Sequence, residues 1–196
     1  MKRKIIWQRV LILIGLLLAI CLLGVAALFT LGKPLLSAMR ASLWTADPAR
    51  SRQAAQAMLD YQLPKGYTET KVMNIQGDYS SVIASYQGQP GNIIFFQSMV
   101  AGVRQNEGWR KRYEESWSSD LDGHRYRVQT VEVREMKIGE NTIPVRLLEG
   151  QDENGKPVKQ AVCILPGKVG DVLVAVMSTA DSWDFSQVET FFQSIR

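Results

Sequence analysis

Histidine and cysteine are almost missing from this chain: His124 is the only histidine, and Cys21 and Cys163 are the only cysteines among 196 residues. A zinc site of the usual kind needs three or four imidazole and thiolate ligands, so that chemistry is excluded by counting. Cys21 lies inside an apolar run and Cys163 far outside it, which leaves no pair for an intramolecular disulfide. No Gly-x-Ser-x-Gly elbow exposes a serine nucleophile, and no Asn-x-Ser/Thr sequon occurs. The most informative absence is one of charge. The first 46 residues contain no Asp or Glu, and from Val10 to Gly32 there is no charged side chain of either sign.

Those 23 uncharged positions are dominated by Leu, Ile, Val, Ala and Phe. A helix rises about 1.5 Å per residue, so roughly 20 residues cross a hydrocarbon core about 30 Å thick. A helix buried in a soluble domain would keep a polar stripe, and this one has none. Lys2, Arg3, Lys4 and Arg9 precede the run, whereas Lys33 and Arg40 are the nearest charges after it, which puts the N-terminus in the cytoplasm. Trp7 and Trp44 are placed to mark the two interfaces. The run is too long for the core of a cleaved signal peptide, and its end has no well-placed small-residue cleavage site. Leu18-Ala19-Ile20-Cys21 is a poor lipoprotein signal because Ile20 is large and apolar residues continue beyond the cysteine. A pilin-type anchor lacks its glutamate. The expected organisation is a cytoplasmic tail at 1–9, a transmembrane helix at 10–32, a connector at 33–46 and one extracytoplasmic domain at 47–196.

This layout explains the net charge of +4. Six of the 23 basic residues fall in the first 46 positions, leaving 17 basic against 19 acidic side chains in residues 47–196. A nucleic-acid binder carries its positive footprint on the folded domain, so nucleic acid is excluded as a partner.

Leu35, Met39 and Leu43 recur every four residues, which suggests a helix or stalk over 34–45. Asp47-Pro48 reads as cap and first position of a helix to about Leu59, with Ala54, Ala55, Met58 and Leu59 facing inward. Strands are expected at Thr68–Ile75, Ser80–Tyr86 and Asn92–Met99, then a helix from about Asn106 to Ser118. On that helix Trp109, Tyr113 and Trp117 share a face, while Arg110/Glu114 and Lys111/Glu115 are spaced as surface ion pairs. Four strands follow at Arg125–Ile138, Thr142–Gln151, Pro157–Leu165 and Asp171–Ser178, with Asn154-Gly155 as a hairpin turn. The last helix begins near Asp184, with Gln187 completing a capping box and Val188, Phe191, Phe192 and Ile195 inward. The order αβββαββββα with long neighbouring hairpins indicates an α+β domain, an antiparallel sheet flanked by helices.

The closing stretch Trp183-Asp-Phe-Ser-Gln-Val-Glu-Thr-Phe191-Phe192-Gln-Ser-Ile195 resembles the last helix of Mog1/PsbP-like domains. Tyr61-x-Leu-Pro64-x-Gly66-Tyr67 is similar to an entry motif of uncharacterised membrane-anchored bacterial proteins. The resemblance covers 47–196 as a pattern. It implies a sheet sandwiched by helices and scaffolding, assembly or small-protein-binding roles, with no chemistry to carry over.

Gly150-Gln-Asp-Glu-Asn-Gly155-Lys156-Pro157 comes within one residue of a phosphate-binding loop, but Pro157 supplies neither the hydroxyl nor the N–H the site requires. Gly167-Lys-Val-Gly170 is a turn between strands without a following helix to receive a pyrophosphate. Asp152-Glu153 lacks the spaced ligands of a calcium loop. His124 with Asp120 or Asp122 and Ser116, Ser118 or Ser119 would be the only route to a hydrolase, yet Asp122-Gly123-His124 is accounted for as a turn. Cys163, in an apolar strand, reads as a buried inert thiol.

The stripe Trp109, Tyr113, Trp117 reads first as the core-facing side of its helix. If those rings are exposed beside Arg110, Arg112, Arg125 and Arg127, they form an interaction surface for anionic headgroups or an acidic partner. No cofactor is expected. The sequence describes a non-enzymatic binding or assembly module held at the plasma membrane, contacting lipid through 10–32 and displaying its domain outside to a protein partner. The alternatives are a serine hydrolase using His124 and a ligand-sensing domain, which would need a deep apolar pocket.

Overall fold

In the computed structural model of the chain, which describes residues 44–75, 79–88, 91–121 and 124–196, the cap expected at Asp47 is present. The Asp47 carboxylate accepts from the Arg50 N–H at 3.1 Å and Pro48 opens helix α1, Pro48–Met58. The helix stops where Leu59 takes an extended backbone, and Ala55, Met58 and Leu59 are buried as their spacing predicts. The expected tail, span and most of the connector lie outside the described residues. Among the described residues no helix is long and apolar enough to cross a membrane.

The remaining elements are β1 Trp44–Thr45, β2 Tyr67–Ile75, β3 Tyr79–Tyr86, β4 Ile93–Met99, α2 Glu107–Ser119, β5 Asp120–Leu121, β6 His124–Ile138, β7 Asn141–Asp152, β8 Pro157–Pro166, β9 Asp171–Thr179, a short 3₁₀ turn at Ala180–Ser182 and α3 Phe185–Gln193. The nine strands form one antiparallel sheet in the order β1-β2-β3-β4-β9-β8-β7-β6-β5. The expected α+β order is recovered with two additions, β1 and β5. The first corrects the connector: Trp44 is not part of a stalk helix but pairs with Met73 on β2 and packs against the second core cluster. Two-residue strands have no periodicity to read, so sequence pattern cannot announce them.

β4, β9 and β8 lie at the centre and are buried on both faces, so they read as near-continuous apolar runs instead of alternating ones. One face carries Val82, Ile94, Phe96, Val145, Cys163, Val174 and Val176 beneath α1 and α3. Asp184 starts α3 by accepting from the Ser186 and Gln187 N–H groups, and Val188, Phe191, Phe192 and Ile195 pack inward as expected. The other face carries Ile83, Phe95, Val162, Ile164, Leu173 and Met177. There Val103, in the loop before α2, is seated because Asp171 accepts from the Gly102 and Arg104 N–H groups at 3.0 and 2.8 Å. Full burial of each large side chain, such as Phe95 or Phe96, stabilises the fold by about 1.5–3 kcal/mol.

β6 and β7 leave no room for a side chain at Gly150, opposite Val128. A Cβ there would overlap the Arg127 carbonyl oxygen and sit 2.7 Å from the Val128 Cα, backbone atoms that cannot swing aside. Gly150→Ala is therefore expected to cost roughly 1–3 kcal/mol and lower the urea midpoint. Gly108→Ala, whose Cβ would meet only the Asn106 side chain at 3.5 Å, should leave the midpoint unchanged or slightly raised.

Candidate functional site

Helix α2 is where the sequence placed its interaction surface, and its orientation differs from the simplest reading. The Asn106 side chain accepts from the Trp109 N–H at 3.1 Å and starts the helix. Trp109 and Tyr113 are not core residues: they are 55% and 38% exposed. Arg112 lies on the same outward side and is exposed. The buried side is held by Glu114, only 1% exposed, whose carboxylate bonds the Arg146 guanidinium of β7. Arg110 does act on Glu114 through its charge, but Glu114 is buried, so the expected surface position of that pair is corrected. Lys111 and Glu115 do form the expected pair at 3.8 Å, fully at the surface. The physical reason is that β7 presents Arg146 beneath α2, and a guanidinium largely withdrawn from water there demands a carboxylate more strongly than a sheet surface demands an aromatic ring.

The other basic residues divide. Arg110 is half-buried near Glu114, and the Trp117 side chain lies outside the described part of the structure. Arg125 and Arg127 are exposed on β6, but the intervening Tyr126 and its neighbour Val128 belong to the core cluster on the α2 side of the sheet. Strand alternation therefore turns Arg125 and Arg127 to the opposite face. Trp109, Arg112 and Tyr113 form one surface; Arg125 and Arg127 belong to another. His124 begins β6 opposite Leu121, and its side chain is likewise outside the described part.

Three open or enclosed spaces accompany these surfaces. Arg127 lines a wide concavity of about 650 Å³ with Gln129, Glu149, Gln151 and Lys159, where Lys159 and Glu149 are paired at 2.7 Å. A niche of about 260 Å³ lies between α1 and β2. In it Glu69, 5% exposed, accepts from the Tyr61 hydroxyl at 2.8 Å and from Arg52 Nε at 3.4 Å. Burial, and then the Glu69 carboxylate, push the Tyr61 phenol well above its ordinary pKa. Tyr61 also lies over Phe96 with ring centroids 4.7 Å apart. This triad went unread because its members come from three separate segments, and because an irregularity between Glu69 and Lys71 interrupts the strand alternation. Finally, the space among Tyr67, Ile94, Val176, Asp184, Gln187 and Phe191 measures about 10 Å³, too little for an organic ligand. Cys163 is fully buried and its thiol is held well above the usual range by desolvation, then by the Glu114 charge, so it is no nucleophile.

Among the described residues no three metal-ligating side chains converge. In comparison with known proteins, the chain matches no family model, no curated protein and no solved structure.

The Glu114–Arg146 pair carries two expected outcomes. Arg146→Ala deprives a buried carboxylate of its guanidinium and should cost roughly 3–5 kcal/mol in urea unfolding, whereas replacing both partners by apolar residues should cost far less. Burial raises the Glu114 pKa despite the opposing bond and charge of Arg146. The folded state therefore holds that proton over a window, starting at the ordinary carboxylate pKa, in which the unfolded state has released it. Stability contributed here is present at low pH and is lost as pH rises through the raised value. In Glu114→Gln that component of the stability–pH curve should vanish.

Proposed function

We propose that this protein is a non-enzymatic binding or assembly module, anchored in the plasma membrane by residues 10–32, with its α+β domain outside the cytoplasm and α2 as its contact surface. The observation that carries the reading is the outward Trp109–Arg112–Tyr113 surface. Two aromatic side chains one turn apart stay in solvent, while the helix bearing them is fastened beneath by an ion pair instead. Exposed Trp, Tyr and Arg in one patch are the residue types that dominate binding energies at protein interfaces. The cationic Arg112 between them favours a protein partner with an acidic contact surface. The anchor rests on the uncharged 23-residue run and its basic flank, and the resemblance to Mog1/PsbP-like domains agrees with an assembly role.

The reading is tested in native membranes. Alkaline extraction should leave the chain with the bilayer, and protease added from outside should digest the domain. A photoreactive phenylalanine at Tyr113 should give one discrete adduct that the same probe at Asn154 does not. Trp109→Ala should weaken that adduct's formation at least about tenfold. Equal adducts at both positions, or none at Tyr113, would remove α2 as the contact surface.

A further inference from the structure

Among the described residues, the outer edge of β6 is the longest strand edge with no strand beside it. β5 covers it only at His124 and Arg125, opposite Leu121 and Asp120. From Tyr126 to Ile138 no described strand lies on that side. Five consecutive residues, Val131 to Glu135, are exposed, with Val131 at 52% and Val133 at 51%. An edge of unpaired N–H and C=O groups is a template for strand addition, and proteins usually guard it with charged side chains, proline, a bulge or a very short strand. Here the guard residues have opposite signs. Arg134 grips Glu132 with two bonds, Nε to Oε1 at 2.5 Å and Nη2 to Oε2 at 3.0 Å. The same guanidinium rests 4.4 Å from the centre of the Phe185 ring, so its position is set before any partner arrives.

We propose that this edge pairs with the β6 edge of a second copy of the chain, antiparallel and two-fold symmetric, centred on Val133. The register follows from charge, together with the irregularity at Val131, which removes that residue as a centre. A two-fold axis perpendicular to the sheet places like-facing residues opposite each other, so the axis must pass beside a single residue. Centring on Glu132 or Glu135 sets two carboxylates together, and centring on Arg134 sets two guanidinium groups together. Like charges directly opposite destabilise a strand pair. Centring on Val133 sets Val133 against Val133 and Glu132 against Arg134 twice. The two intrastrand pairs then close into one four-charge ring, and two sheets become continuous. The irregularity in β6 between Thr130 and Glu132 confines the regular contact to a few residues in each copy. An interface this short is too small to hold a dimer in dilute solution. Confinement of both copies to one bilayer supplies the missing effective concentration, and to this extent the inference rests on the anchor proposed above.

The test uses the full chain in liposomes, with Cys21→Ser and a single probe cysteine. Val133→Cys should oxidise to a disulfide-linked dimer, and Val169→Cys, exposed at a loop, should not. Adding Glu132→Lys or Arg134→Glu should reduce the Val133→Cys dimer about tenfold, and Glu132→Arg with Arg134→Glu together should restore it. Cys163 staying unreactive to a thiol reagent reports that each variant is folded. Equal cross-linking at Val133 and Val169, none at Val133, or charge reversals without effect would overturn the dimer. Alkaline extraction of the same liposomes separates the two readings. If the chain remains in the bilayer and fails to cross-link, only the dimer falls. If the chain is extracted, the anchor falls, and the dimer is judged by whether the Val133→Cys disulfide and its charge dependence persist in the extracted chain at high concentration.

Discussion

The burial of β4, β9 and β8 on both faces is the constraint from which the rest of the domain follows. A strand whose every side chain is apolar cannot lie on a surface, so helices or loops must cover the sheet twice. α1 and α3 cover one face with ordinary apolar stripes, Ala55, Met58 and Leu59 from one side and Val188, Phe191 and Phe192 from the other. The second face is closed in part by Val103 and α2, and there the terms change. α2 is poor in apolar residues, and Glu114 with Arg146 sits where a leucine would be expected. One face is held by dispersion and water exclusion; the other adds an ion pair whose buried carboxylate is costly to leave without its guanidinium.

Much of the domain was legible for that reason. Central strands announced themselves as apolar runs bounded by Gly, Pro and Asn, and most boundaries fell within a residue of expectation, as at Asp171–Thr179 and Pro157–Pro166. α1 and α3 were equally plain because Asp47 and Asp184 cap them and their inward faces repeat at helical spacing. β1 and β5 escaped notice since two residues carry no period. The face of α2 is hidden from the sequence for a more instructive reason. Trp109 and Tyr113 at i and i+4 look like a core stripe, and Arg110 and Glu114 look like a solvated pair. What decides between them is Arg146, some thirty positions away, and no local pattern reports what the sheet offers beneath a helix.

The same logic governs the site residues. Trp109, Arg112 and Tyr113 were found together because they share one helix. Arg125 and Arg127 lie close to them in sequence, but Tyr126 and Val128 take the α2 side of β6 and turn the arginines away. Strand alternation was available from the sequence; the choice of which face α2 would cover was not. The Arg52–Tyr61–Glu69 network lay still further from view, since its segments meet only after β2 has paired and bulged.

A helix fastened by charge has a freedom that an apolar stripe would deny it. Were Trp109 and Tyr113 needed to seal the sheet, any substitution that tuned them for a partner would also open a cavity, at a cost of several kcal/mol. With Glu114 and Arg146 holding the inner side, the outer side is released from packing. Its aromatic rings can answer to a partner's shape alone. The same separation appears at the far edge of the sheet, where Met136 and Ile138 anchor β6 in the core while Glu132, Val133 and Arg134 stand clear of it. In both places the fold is secured by one set of residues while another set faces outward, so substitutions at the surface need not disturb the packing beneath.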